Sequence, residues 1–381
     1  MPLRCYPAAT LLLLGASACT KEAPAPPAAV TVAGSGMPTF ERRPLNLAEE
    51  DLPEERYLMF DVASDGSVAY QASATQAPMI RRIDSTGHHL TAFGREGEGP
   101  GELRGFVGIE MRGDTLLLFN SMRFALIEMT LTGELLRERP LTHVGSTLAW
   151  FADSVDFRQA VVEGSIRVER VRRAKIGEST GRLLFDASNA AFAAASGKGP
   201  GERNPPLWLP YAATPDRIWL ADPWNYRITS FDSDGRQLGE VTHAIAPNQR
   251  GPRAIAETRE RIAKAPRFTR GANGERMEVA DQRGRLDTLE RERIRHFTRN
   301  PLHVDEFGRL WVVGVSRDST TVDLFADMTF VGRVMLPCYA SDVGLRVAFG
   351  RGGWMVLECE VEGGDWPTEL QLYRIVERPT P

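Results

Sequence analysis

The chain has no apolar run of the roughly 20 residues that a membrane-crossing helix requires; its longest candidate, Ala8 to Leu14, is far shorter. It has no C-x-x-C, so a zinc ribbon or thioredoxin-type redox site is not on offer. His-Glu-x-x-His, G-x-S-x-G and EF-hand calcium spacings are missing as well. Lysine is scarce, occurring only at 21, 175, 198 and 264, so nearly all of the 46 basic residues are arginine. With 50 acidic residues the formal net charge is −4, which gives no general pull toward nucleic acid. Helix-period patterning is rare throughout.

What is present begins with an export pattern. Arg4 precedes the apolar run, and small residues, Gly15-Ala16-Ser17-Ala18, lead into Cys19. That order marks a secretory signal over residues 1–18. The cysteine after the small residues resembles a bacterial lipobox, with Cys19 as the lipid-attachment residue; the usual leucine three positions earlier is Ala16. Residues 19–37 are rich in Ala and Pro and poor in bulky apolar side chains, the composition of a semi-extended tether. Of the four cysteines, Cys5 leaves with the signal and Cys19 takes lipid. Cys338 and Cys359 remain as a candidate disulfide in an exported protein, or as two separate thiols.

From residue 38 to 378 the pattern is short strands and tight turns. Turn residues precede compact apolar runs at Asp65-Gly66, Gly113-Asp114, Asp216-Arg217, Gly308-Arg309 and Gly352-Gly353. A weaker unit begins at Ala152-Asp153-Ser154, which brings the count to six. Each unit continues into a second hairpin, as at Ser85-Thr86-Gly87, Thr132-Gly133 and Ser233-Asp234-Gly235, where Gly supplies the positive φ that twisted hairpins need. Two hairpins per ~45 residues describe a four-stranded propeller blade. The last unit runs out of chain after a third strand at 369–376. The segment Phe40 to Leu47 is therefore expected to supply its outer strand and close the ring.

The tetrapeptide Gly-Pro-Gly-Glu occurs at 99–102 and again at 199–202, two blades apart. Proline fixes φ and the glycines allow a sharp reversal, so these loops read as crossings between blades, with Glu102 and Glu202 accepting backbone N–H bonds. A phosphate cradle would need a Gly-Lys-Ser/Thr and a following helix, and neither is there. One stretch breaks the repeat: an insertion at about 250–299, partly helical, with Ile255 and Ile262 seven apart and basic residues in excess.

Phe93 to Leu103 resembles the blade-junction loop of NHL-type propellers, and Trp219-Leu220-Ala221-Asp222 through Asn225-Tyr226-Arg227-Ile228 to Gly235 looks like the body of an NHL repeat. Together they are similar to the bacterial six-bladed β-propeller lipoproteins. The resemblance implies an all-β, six-bladed propeller with four-stranded blades, an N-terminal strand closing the last blade, and one partly helical insertion.

Chemistry is harder to find. His88-His89 begins an outer strand whose adjacent side chains face opposite ways, a poor chelating pair. His303, Asp305 and Glu306 enter a strand, where hairpin chemistry accounts for the acids. Histidines show no blade periodicity, and no cofactor or metal site is read from the spacing. The candidate ligand face is Arg95, Glu96 and Arg104 beside the first Gly-Pro-Gly loop, with Trp208, Trp224, Tyr226 and Arg227 around blade four, residue types that anchor interfaces. The expectation is a monomeric, lipid-anchored binding or scaffold module for an envelope protein or glycan, without nucleic acid. The alternative is a metal-dependent lyase or lactone-type hydrolase with a site in the central channel.

Overall fold

The computed structural model describes residues 31–33, 37–49, 59–105, 107–120, 122–141, 147–151, 153–163, 166–188, 210–222, 226–242, 248–249, 252–264, 268–270, 276–278, 293–294, 296–314, 320–336, 346–360 and 368–376. Six antiparallel blades form a ring. Blade one contains Phe60–Val62, Val68–Gln71, Ile80–Ile83 and His89–Phe93; blade two contains Val107–Arg112, Thr115–Asn120, Ala125–Thr130 and Leu135–Pro140. Blade three contains Thr147–Trp150, Ser154–Glu163, Ile166–Lys175 and Arg182–Ser188; blade four contains Tyr211–Ala213, Arg217–Asp222, Arg227–Asp232 and Gln237–Thr242. Blade five contains Phe297–Val304, Leu310–Gly314, Thr320–Ala326 and Thr329–Leu336; blade six contains Arg346–Gly350, Trp354–Glu360 and Thr368–Val376. The first strand of each blade is innermost, and the innermost strand of blade six meets that of blade one, which closes the circle.

The closing strand is where the sequence places it. Thr39–Arg43 pairs antiparallel with Thr368–Val376, Thr39 opposite Val376 and Arg43 opposite Leu372. A second contact was not legible. Thr31–Ala33, inside the stretch read as tether, pairs with Thr329–Leu336 as a fifth strand on blade five. Met37 lies between the two strands and is buried among Trp311, Val334, Met355 and Tyr373. The N-terminal segment thus clasps two blades, not one. The signal, Cys19 and Cys338 lie outside the described residues.

The core is a set of slabs between blades rather than a central mass. Met79, Ile80, Val107 and Leu118 fill the junction of blades one and two; Tyr70, Ile83, Val356 and Leu372 fill that of six and one. Tyr226, Ile228, Phe297 and Val312 do the same for four and five. Blade three, faint in sequence, has two full ten-residue strands paired from Ser154 to Lys175. In the insertion, the helix Pro252–Lys264 turns Thr258 and Ile262 inward, with Ile255 half-buried on the same stripe.

Four hairpins share one local design. Asp84, Thr130, Asp232 and Asp305 each hold an N–H four residues on: the Asp84 and Asp232 carboxylates accept from His88 at 3.0 Å and Arg236 at 2.8 Å, the Thr130 hydroxyl from Glu134 at 3.0 Å, and Asp305 from Arg309 at 2.9 Å. The residue three positions on is glycine each time, with φ from +75° at Gly308 to +93° at Gly87. These bonds to the ionised form hold the Asp84 carboxyl down at about 2, the Thr86 hydroxyl contributing most.

Candidate functional site

The first Gly-Pro-Gly loop is a crossing held from within. Glu102 accepts the Gly99 N–H at 2.7 Å and pairs with Arg95 at 2.8 Å. Gly101 donates to Glu138 on the outer strand of blade two, and Arg123 reaches the loop carbonyl of Glu98 at 3.0 Å. Gln71 ties the far end by donating to the Gly105 carbonyl and accepting from Val107 N–H at 2.9 Å. The role read for Glu102 is therefore seen; the second loop, 198–202, lies outside the described residues.

The described residues of the predicted ligand face are divided between the junction of blades one and two and blade four. Arg95, Glu96 and Arg104 are exposed at the junction of blades one and two. Yet Arg95 is neutralised by Glu102, and Arg104 by Glu98 at 2.5 Å. Arg227 is exposed on blade four, 3.4 Å from Asp222. Tyr226 requires a correction: it is 4% exposed. Its φ of +44° turns the ring into the junction with blade five, 4.7 Å from Phe297, and its hydroxyl donates to Asp323. Asp323 is also gripped by Arg333 at 2.6 and 2.9 Å. The same three-residue device recurs one junction earlier, where Tyr211 and Arg173 both bond Asp156. Trp208 and Trp224 lie outside the described residues.

A groove lies elsewhere. Strand alternation puts the blade crossings and the second-to-third-strand turns on one face of the ring. The first-to-second and third-to-fourth hairpins lie on the other. On that second face, between blades four and five, is a groove of about 460 Å³ lined by Thr214, Asp216, Arg217, Trp219, Leu238, Phe307, Gly308, Ala326 and Asp327. Arg217 of blade four reaches Asp327 of blade five at 2.9 Å and lies 5.8 Å from the Trp219 ring centre. Thr214 donates to Asp216 at 2.7 Å, a bond that holds the Asp216 carboxyl below its ordinary value. Phe307 is 44% exposed, with the Arg309 guanidinium 4.9 Å from its ring centre. Spacing could not reveal this site, because its two walls are about ninety residues apart. The one local signal is Phe307, a large apolar residue in a hairpin tip.

A second place of chemical interest is the channel wall. Asp61, half-buried on the innermost strand of blade one, accepts the Met111 N–H of blade two at 2.6 Å. Met111 is on an edge strand, so this carboxylate satisfies a backbone donor that no neighbouring strand takes. Burial pushes the Asp61 carboxyl up to about 7; the Met111 bond opposes the rise and the nearby Glu110 charge adds to it. Glu110 is itself paired with Arg112 at 2.6 Å. Among the described residues no three His, Cys, Asp or Glu side chains stand close enough to hold a metal ion.

No family model matches the chain, and no curated protein sequence does. Solved structures resemble it over nearly its full length. A member of the DUF4221 family from Bacteroides vulgatus is 10% identical, with 92% of this chain and 99% of that chain covered and a TM-score of 0.48. A gluconolactonase from Xanthomonas campestris is 11% identical over 92% and 98% of the two chains, TM-score 0.41. The virginiamycin B lyase of Staphylococcus aureus is 12% identical over 88% and 99%, TM-score 0.34. Likeness of this degree assigns neither family nor activity.

Proposed function

We propose that the protein is an exported, lipid-anchored propeller of the NHL-like type that binds a protein or glycan of the cell envelope in the groove between blades four and five. The groove itself carries this reading: two blades contribute an exposed aromatic, a guanidinium and carboxylates to one concave surface. Export rests on the pattern before Cys19. Attachment through lipid on Cys19 rests on the same pattern; among the described residues no helix is long and apolar enough to cross a membrane.

The clasp supports the orientation this requires. Thr31 pairs with Met335 and Ala33 with Arg333, so the chain joins blade five from the crossing face. An anchor upstream would hold that face toward the membrane and leave the groove facing away from it.

The test is capture from envelope extract by the full chain and two sets of variants. Phe307→Ala and Arg217→Ala should lose the captured species, while Arg95→Ala and Arg104→Ala should keep it. Loss with the loop variants alone would move the site to the crossing face.

The rival reading is a channel enzyme of the lyase or lactone-hydrolase type. Asp61 favours it, as a carboxyl that exchanges its proton near neutrality on the channel wall. The described residues do not offer a metal set, so no step through a metal is derived. Turnover of a lactone panel that vanishes in Asp61→Asn would establish this reading over the first.

A further inference from the structure

The chemistry of the groove narrows what it takes. Its polar lining carries two carboxylates, Asp216 and Asp327, against one guanidinium, Arg217, a local excess of negative charge. That balance disfavours phosphate and carboxylate ligands. A simple cation is disfavoured too, because the Arg217 guanidinium already occupies Asp327. The lining nevertheless mixes acceptors and donors at short range. Asp216 and Asp327 accept; the Arg217 N–H groups not engaged with Asp327 donate. Trp219 also lines the groove.

The rest of the lining is apolar. Phe307 and Leu238 are exposed, Ala326 is small, and Gly308 has nothing within 4 Å of where a Cβ would stand. One side of the Phe307 ring carries Arg309, which leaves the other side for a ligand.

We infer that the groove binds a neutral saccharide. Sugar hydroxyls donate and accept at once, so vicinal pairs suit a carboxylate beside a guanidinium. The C–H face of a pyranose is apolar and slightly positive, and it suits the negative face of an aromatic ring. No net charge is required of the ligand, in keeping with the internal Arg217–Asp327 pair. The inference rests on the groove being the ligand site proposed above.

The experiment is calorimetric titration of the full chain with cellotriose and N,N′,N″-triacetylchitotriose as neutral probes. Trigalacturonate and the deacetylated chitotriose supply the negative and positive contrasts. At least one neutral trimer should bind. Phe307→Ala should weaken it about tenfold or more, and Arg104→Ala should leave it unchanged. Phe307 is exposed, so its variant folds. Absence of binding by both neutral trimers overturns the inference, as does tighter binding of either charged trimer or neutral binding indifferent to Phe307→Ala. If saccharides fail while capture from envelope extract still depends on Phe307, the ligand class is wrong and the groove stands. If neither depends on Phe307, the groove reading falls with it.

Discussion

Gly235 of blade four lies so close to Leu184 of blade three that a Cβ on the glycine would stand 2.1 Å from the leucine carbonyl oxygen. Equivalent hairpin glycines approach the preceding outer layer in the same way: Gly133 meets Phe93 of blade one at 2.4 Å, and Gly87 meets the Asn46 backbone at 2.5 Å. Positive φ and close approach are thus two separate demands on one residue. Gly177, with φ of +91° and nothing within 4 Å, carries only the first. Gly177→Ala should cost about 1 kcal/mol. Gly235→Ala should cost about 3 kcal/mol or more, because backbone cannot yield as a side chain can. Urea unfolding of the two variants measures the difference, and equal losses would remove the packing role.

The buried Tyr226 hydroxyl makes an alkaline prediction. Burial first, then the Asp323 charge, raises its phenol well above the ordinary value near 10. In the unfolded chain the phenol ionises from about pH 10, while in the fold it stays protonated. Its contribution is therefore complete below pH 10 and is lost as pH rises beyond it. Tyr226→Phe should lose about 1 kcal/mol at pH 8 through the missing hydrogen bond. The gap to the parent should then narrow as pH rises from 10 toward 11. Denaturant unfolding across that range is the measurement, and a constant gap would contradict the assignment.

Much of the ring was legible because its punctuation is local. Asp84 to Gly87 and Asp232 to Gly235 carry their turn chemistry within five residues, so sequence alone locates them. Tyr226, a candidate for the ligand face, packs inward because its partner, Asp323, comes from the next blade, 97 positions away. Blade three was faint for a related reason. Its long strands are matched by polar cross-strand pairs such as Arg173 with Asp156 and Arg172 with Gln159, which interrupt the apolar alternation begun at Val155 and Phe157. The groove needed both blades in place before Phe307 and Trp219 could share a surface. Its chemistry is tertiary.

The clasp predicts that the N-terminus is part of the global fold. Met37 is 2% exposed between blades five and six, and Phe40 packs edge-on to Trp311 with ring centres 5.8 Å apart. Met37→Ala should cost about 2–4 kcal/mol and lower a single cooperative transition. A parent-like transition preceded by a small early one, followed by circular dichroism, would show instead that the clasp frays independently.

Cys359, buried on the second strand of blade six, is disulfide-bonded. Cys338, its expected partner from the sequence, lies outside the described residues. Peptide mass mapping of unreduced protein should recover a cross-linked pair containing Cys338 and Cys359. Cys359→Ser should cost about 2–4 kcal/mol. A fragment joining Cys359 to any other cysteine would overturn the pairing.

Asp61 gives the opposite pH sign from the paired carboxylates elsewhere in the ring. Its folded value, pushed up to about 7, lies above the ordinary 3.8, so the folded state holds a proton that the unfolded chain has already released. Its contribution is therefore fully present below about pH 4 and is lost as pH rises through 7. Asp61→Asn can still accept the Met111 N–H but carries no charge to bury. It should match the parent near pH 4 and exceed it at pH 8 by about 1–2 kcal/mol. Urea midpoints at the two pH values decide it. A variant less stable than the parent at pH 8 would mean that the carboxylate is ionised and held by its neighbours, and Asp61 would then lose its standing as an acid–base group for channel chemistry.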